Sequence, residues 1–278
     1  MISRCFLVAV LLVIAFTATA EPAKRIIALS PHIVEQLYSI GAGDSIIATT
    51  DNADYPEQAK NIPVIGGFYG VQIEKIVQLK PDLIVYWGSG NKASDIRRLK
   101  EFGFKLYNND PKTLAAIPDT LIELGKLTGY EVAAQEKASQ FRRQLNQLVI
   151  ANSQKASIKV FYQLWSSPLM TVAKGSWIQQ LLTACHSENV FYHAVNSYPQ
   201  VSTENVLLKQ PQVILQANEK GNVQGIDWSK WPEIPAVKFQ QIYQLNADIL
   251  YRPTLRAIEG AQALCQVLDK SRLNLSIL

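Results

Sequence analysis

Residues 68–85 read Phe68-Tyr69-Gly70-Val71-Gln72-Ile73-Glu74-Lys75-Ile76-Val77-Gln78-Leu79-Lys80-Pro81-Asp82-Leu83-Ile84-Val85, and residues 198–215 read Tyr198-Pro199-Gln200-Val201-Ser202-Thr203-Glu204-Asn205-Val206-Leu207-Leu208-Lys209-Gln210-Pro211-Gln212-Val213-Ile214-Leu215. At an offset of 130 positions, with no gap, an aromatic, a Val, a Glu, an aliphatic pair, a Pro and an apolar triplet coincide. Each copy predicts a short helix, a proline that stops it, and a buried strand. A repeat at so long a period implies two similar lobes rather than a solenoid, whose units run to tens of residues. Two lobes imply a cleft, a preferred place for small ligands.

Strand–helix alternation surrounds both copies. In the first half, Arg25–Leu29 and Ile46–Ala48 read as strands. Between them Ser30-Pro31 opens a helix carrying Ile33, Leu37 and Ile40, with Gly41 as its stop. The repeat helix at 72–79, strand 83–87, helix 93–102 and strand 105–107 follow. In the second half, strand 159–162, helix 176–184, helix 202–209, strand 213–215, strand candidates within 236–243 and a last helix from 255 to 267 complete the pattern. The fold class is therefore α/β, with mostly parallel sheets flanked by helices. Helical periodicity also runs from Leu114 to Leu127 and from Tyr130 to about Ser153. In the latter, Ala134, Ala138, Phe141, Leu145 and Leu148 form one stripe without Pro or Gly. A helix of about 22 residues spans roughly 33 Å, which suits a rigid connector. The expected organisation is an N-terminal lobe over 21–128, a connecting helix over 129–153 and a C-terminal lobe over 154–278, with the ligand cleft between the lobes.

Residues 1–20 precede this fold. A basic start at Arg4, an apolar run over Cys5–Phe16 and Thr17-Ala18-Thr19-Ala20 form a secretory signal with cleavage near Ala20. The apolar run is shorter than the ~20 residues a spanning helix needs. Export predicts a disulfide between the two remaining cysteines, Cys185 and Cys265. Closing so long a loop restricts the unfolded chain by about 4 kcal/mol in chain-entropy terms. The formal charge is +4 over the whole chain. No Lys/Arg run with interleaved aromatics is present, which excludes the usual electrostatic footprint of a nucleic-acid binder.

Enzyme signatures are missing: no Gly-x-Ser-x-Gly elbow, no phosphate-binding loop and no His-Glu-x-x-His. His32, His186 and His193 share no metal-ligand spacing. The informative side chains are aromatics at element ends. Tyr55 follows the second strand, Phe68 and Tyr69 precede the repeat helix, and Trp87 ends the repeat strand. Trp165 follows the first strand of the second half, with Met170 nearby, and Tyr198 occupies the repeat position of Phe68. Ligands of parallel α/β sheets bind beyond the carboxyl ends of the strands, and aromatic faces there suit a large, planar, partly apolar ligand. Glu74 and Glu204 share a repeat position in the first turn of their helices. There the helix dipole favours an acid by roughly 0.3–1 kcal/mol, and a matched pair would also serve as a two-pronged docking surface.

The chain resembles the periplasmic cobalamin (vitamin B12)-binding proteins of ABC importers, within the wider group of binding proteins for siderophores and haem. The resemblance covers essentially all of the mature chain. It is carried by Arg25-Ile26-Ile27-Ala28-Leu29-Ser30-Pro31, Asp54-Tyr55-Pro56, Ile73-Glu74-Lys75-Ile76 with Lys80-Pro81-Asp82-Leu83, Trp87, Tyr198-Pro199-Gln200-Val201-Ser202, and Trp231-Pro232 with Ile234-Pro235-Ala236-Val237. It implies two lobes on one long helix that close only slightly. Tyr55, Phe68, Trp87, Met170 and Tyr198 would line the pocket, and Asp248 would add a polar contact. Glu74 and Glu204 would meet arginines of the two membrane subunits, and Cys185 would pair with Cys265. Phe68 and Tyr198 stand where such proteins often carry Trp, and Met170 where an aromatic is common. The resemblance further implies a monomeric periplasmic carrier rather than an enzyme. Cobalamin would be its cargo, not a cofactor. The alternative on this fold is a carrier of haem, with His32 or Tyr55 as axial ligand, or of a ferric siderophore, for which the proposed pocket lacks an Arg cluster. An exported hydrolase is disfavoured because no nucleophile–base pair can be named.

Overall fold

The computed structural model describes residues 21–218 and 226–276; the expected signal and part of the loop after residue 218 lie outside them. The first lobe contains β1 (Ile26–Ala28), α1 (Pro31–Ser39), β2 (Ile46–Thr49), β3 (Gly66–Gly67), β4 (Gly70–Val71), α2 (Ile73–Leu79), β5 (Leu83–Tyr86), α3 (Ala93–Glu101), β6 (Leu106–Asn108) and α4 (Ile117–Thr128). The connector α5 (Glu131–Asn152) follows. The second lobe contains β7 (Lys159–Gln163), β8 (Trp165–Ser166), β9 (Leu169–Met170), α6 (Trp177–Ala184), β10 (Glu188–Asn189), α7 (Thr203–Lys209), β11 (Val213–Asn218), α8 (Pro235–Lys238), β12 (Ile242–Asn246), α9 (Ala247–Tyr251) and α10 (Ala257–Ser276).

Each lobe is built on a four-stranded sheet, and both sheets share one plan. The orders are β2-β1-β5-β6 and β10-β7-β11-β12, with every pairing parallel. Side chains alternate across each strand and fill two core layers. Ile26, Ala28, Leu83 and Val85 pack under α1 and α4, while Ile27 and Ile84 pack under α2 and α3. In the second sheet Val160, Tyr162, Val213 and Leu215 face α6 and α10, while Phe161 and Ile214 face Val206 and Trp228. The repeated unit is α2–β5 in one lobe and α7–β11 in the other. Both helices stop on a left-handed residue at the same repeat position, Lys80 (φ 47) and Gln210 (φ 48), directly before the proline.

Three local expectations differ in the structure. The segment expected to hold strands within 236–243 starts as the single turn α8, because Pro235 sits at its first helical position, and the strand comes later as β12. The last helix starts at Ala257 and runs on to Ser276. Ser30 precedes α1 without capping it; its hydroxyl turns to His32 Nδ1 at 2.7 Å.

The connector is seated in both lobes. Ala134 near its start packs in the first core, and Phe141 two turns on packs in the second. Leu114 and Ile117 also enter the second core before Leu121 and Leu124 of α4 return to the first. Cys185 and Cys265 are bonded, which ties the end of α6 to α10 across a separation of 80 residues.

The lobes meet at a buried carboxylate. Glu35 of α1, 3% exposed at its side chain, receives Arg252 Nη1 at 2.8 Å and both Nε (2.9 Å) and Nη2 (2.6 Å) of Arg256. Arg252 also reaches Asp54 at 2.8 Å and the Asn52 carbonyl at 3.3 Å. Beside it Gln36 donates to the Pro253 carbonyl (2.8 Å) and accepts from Asn109 (2.7 Å). Gln180 of α6 accepts from the Leu114 amide and donates to the Lys112 carbonyl, each at 2.9 Å. These bonds join loops after β2 and β6 to the segment after β12 and to α6, so the carboxyl ends of the two sheets face one another. Removing one member of such a cluster strands the remaining charges. Glu35→Ala should therefore cost about 3–5 kcal/mol, measured by urea unfolding; a loss under about 1 kcal/mol would show that the cluster does not hold the lobes together.

Candidate functional site

A doubly wound sheet opens a crevice where its strand order reverses. In the first lobe that point lies between β1 and β5, and in the second between β7 and β11. Trp87 follows β5 directly, and Trp165 follows β7 after one residue. The facing strand ends thus bring an indole from each lobe to the inter-lobe groove.

Two small hairpins that the sequence did not reveal hold Phe68 and Tyr69 in the first lobe and Trp165 with Met170 in the second. In the first lobe β3 and β4 pair antiparallel and hold Phe68 and Tyr69 at their turn, with the two rings edge to face at 5.6 Å. The hairpin hangs from the end of β2, where Thr49 donates to the Pro63 carbonyl (2.9 Å) and Asp51 to the Gly66 carbonyl (2.8 Å). Gly66, at φ +151, has no room for a Cβ against the Gly70–Val71 backbone, which is why glycine stands there. In the second lobe β8 and β9 pair Trp165 with Met170. Met170 in turn bridges Gln200, and the Thr171 amide donates to the Pro199 carbonyl at 3.0 Å. Trp165, Met170 and Tyr198 therefore lie on one stitched surface. Among the described residues eight Tyr, Phe and Trp side chains are largely exposed, and six of them are Tyr55, Phe68, Tyr69, Trp87, Trp165 and Tyr198. Exposed aromatic area on this scale marks an interaction site rather than chance.

The polar surroundings were largely illegible in sequence. The reading that no arginines gather here is corrected: Arg252 and Arg256 converge on the site, and the Arg256 guanidinium lies 3.7 Å from the Tyr55 ring centroid. Burial alone would lower the Arg252 pKa, but hydrogen bonds to Glu35 and Asp54 hold it above the ordinary value. Asp248, about one-third exposed, faces Arg252 at 3.4 Å. The two arginines are matched by three acids, Glu35, Asp54 and Asp248, so this cluster carries no net positive charge. Behind Tyr55 a cavity of ≈ 460 Å³ opens between α1, α5 and α10, lined by Tyr38, Lys137, Phe141 and Glu259 among others. It shares only Tyr55 with the aromatic set, which forms an open groove.

Trp87 is the most constrained of these rings. Its Nε1–H donates to Asp110 Oδ1 at 3.1 Å, and its backbone amide to Asn91 Oδ1 at 2.7 Å. Burial pushes the Asp110 carboxyl up, yet hydrogen bonds from Lys112, Ser89 and Trp87 outweigh it and leave the pKa below the usual range. His32 stands edge-on to the indole at 5.5 Å. Both its nitrogens are engaged, Nδ1 with Ser30 and Nε2 with the Asn109 carbonyl at 3.2 Å.

The outer faces carry the two matched acids. Glu74, in the first turn of α2, lies 3.5 Å from Arg98. Glu204, in the first turn of α7, is fully exposed, and the Ser202 hydroxyl together with its own backbone amide lowers its pKa. Ser202 also caps α7, accepting from the Asn205 amide at 3.2 Å.

Two doubly wound lobes, keyed to one helix and facing each other over an aromatic groove, define a cleft-type binding protein. The periplasmic binding protein family model matches residues 26–249. The vitamin B12-binding protein of Vibrio vulnificus is 37% identical over 257 residues, spanning 92% of this chain and 94% of that protein. The protein of the same name from Vibrio cholerae is 38% identical over 248 residues, spanning 89% and 90%. The crystal structure of the periplasmic vitamin B12-binding protein of Vibrio cholerae superposes with a TM-score of 0.84 at 37% identity, covering 90% of this chain and 98% of the other. A periplasmic haem-binding protein from Roseiflexus sp. RS-1 reaches a TM-score of 0.79 at 18% identity, a likeness of fold alone. The chain belongs to the periplasmic binding protein family.

Burial, partly offset by the Asn109 hydrogen bond, takes the His32 pKa from 6.5 to about 4. Unfolded chains bind this proton at higher pH than the folded protein does. The stability linked to His32 is therefore complete above pH 6.5 and drains as pH falls toward 4. The slope approaches about 1.4 kcal/mol per pH unit for one proton. His32→Gln should flatten the pH dependence of urea unfolding across that window; parallel curves for the two proteins would refute the assignment.

Proposed function

We propose that this chain is a periplasmic substrate-binding protein that captures cobalamin or a related corrinoid in the inter-lobe groove. It delivers this cargo to an inner-membrane ABC importer and performs no catalysis of its own. The observation that carries the reading is the gathering of exposed rings at two facing sets of strand ends. Tyr55, Phe68, Tyr69 and Trp87 form one wall; Trp165, Met170 and Tyr198 form the other, with Asp248 at the rim. A corrin is large, planar and amide-fringed. Aromatic faces offer it area at low entropic cost, and an arginine cluster without net positive charge suits its neutral periphery. The names of the relatives at 37–38% identity support the same cargo. An amino-terminal secretory signal would place the mature monomer in the periplasm.

The same geometry disfavours the other cargoes. Of the two axial candidates for haem, His32 is buried and bonded at both nitrogens, while Tyr55 is exposed with the Arg256 guanidinium stacked on its ring at 3.7 Å. An anionic siderophore would need free guanidinium charge, whereas Arg252 and Arg256 are neutralised by Glu35, Asp54 and Asp248.

Glu74 and Glu204 are the proposed contacts to the two membrane subunits, being exposed acids at equivalent positions of the two lobes, ready for arginine partners.

Calorimetry with cyanocobalamin at micromolar concentration should show saturable binding. At a hundredfold excess over Kd the ligand should stabilise the fold by about 2.7 kcal/mol, and Trp87→Ala should weaken affinity at least about tenfold. No heat and no thermal shift would reject the cargo. The pair Glu74→Ala with Glu204→Ala should retain wild-type affinity while abolishing corrinoid uptake by cells; lost affinity in that variant would place the acids in the groove instead.

A further inference from the structure

The fixation of Trp87 is more elaborate than a surface ring requires. Its indole N–H meets the Asp110 carboxylate at 3.1 Å. That carboxylate is itself held by the Ser89 hydroxyl, at 2.8 and 2.6 Å to its two oxygens, and by Lys112 Nζ at 2.6 Å; Lys112 also contacts Ser89 Oγ. Below the ring His32 packs edge-on. Beside it a Cβ on Gly90 would collide with the six-membered ring, so the bare glycine backbone is the shelf on which the indole lies. Asn91 fixes the root, accepting from the Trp87 amide at 2.7 Å and donating to the Leu29 carbonyl at 2.8 Å. Asp110 is only 11% exposed at its side chain, while Trp87 remains 36% exposed. The restraint is buried and the ring it restrains stays open to the groove.

We propose that Asp110 is a positioning residue: by holding the indole N–H it fixes the Trp87 ring in its ligand-facing orientation before any ligand arrives. The inference rests on the reading that Trp87 lines the ligand groove, and it extends that reading to a residue that does not touch the ligand. A tryptophan at a strand end, free of its N–H bond, would swing among several rotamers. Ordering one such side chain on binding weakens affinity by about three- to tenfold. A charge-assisted bond to a carboxylate is strong enough to suppress that motion, so in this protein the ordering is complete on folding. The rival role for Asp110 is a surface ion pair with Lys112, which would act on the loop whether or not an indole is present.

A double-mutant cycle with cyanocobalamin separates the two roles. Asp110→Ala should weaken binding three- to tenfold and slow association. Asp110→Asn, which keeps a neutral oxygen for the indole N–H but lacks the charge for Lys112, should restore part of the loss. In a Trp87→Phe background, where no N–H exists, Asp110→Ala should change nothing further. Equal effects of Asp110→Ala in both backgrounds, or no effect in the wild type, would overturn the proposal. A test without any change at Asp110 is available in unliganded wild-type protein by NMR. The indole N–H resonance that disappears in Trp87→Phe should exchange slowly with solvent, and exchange as fast as a free indole would overturn the proposal equally. If wild-type protein gives no heat with cyanocobalamin, the cargo reading fails while the exchange measurement still decides on Asp110.

Discussion

The relation of the two lobes depends on Glu35, a buried carboxylate held by the guanidinium groups of Arg252 and Arg256. A lone carboxylate at that depth would be costly, and two lone arginines costlier still; together they satisfy one another. The acid belongs to the first lobe and both bases to the second, so the cluster exists only when the lobes sit in one relation. The same guanidinium that neutralises Glu35 lies on the face of Tyr55. Lobe geometry and the first ring of the groove are therefore set by one interaction.

Around that joint the fold places its recognition surface by topology. Both sheets reverse their strand order at the same place in their sequence of elements, and both crevices receive an indole. The first hairpin adds Phe68 and Tyr69, and the second sets Met170 beside Trp165, each hairpin hung from the end of a strand. Six aromatic side chains near these strand ends and hairpins remain exposed. Haem-binding proteins share this architecture at low identity. The frame alone, then, does not single out the proposed cargo.

Much of this was legible in the chain. The 68–85 and 198–215 repeat predicted two like lobes because helix, proline and apolar triplet are local signals, and the stripe of Ala134, Ala138 and Phe141 predicted the connector. The aromatics stood out because each stands at the end of a helix or strand. Their supports did not. Glu35 and its two arginines are separated by 217 and 221 residues, and no spacing rule reaches that far. The hairpins of β3–β4 and β8–β9 are two residues per strand, too short for any alternation to show. Asp110 lies 23 residues from Trp87, and only the folded chain sets the two together. Within 236–243 the strand begins only at Ile242, because Pro235 first opens a turn of helix.

The connector has a consequence for how such a molecule can change over evolutionary time. A helix inserted into two hydrophobic interiors cannot be bent at a single torsion; altering the spread of the halves would mean unseating Ala134 or Phe141 and repacking a whole interior. The width of the mouth is thus inherited with the scaffold. Under the proposed function, adaptation to a wider or slimmer passenger would have to come from trimming or enlarging side chains such as Phe68, Met170 and Tyr198 on the rim.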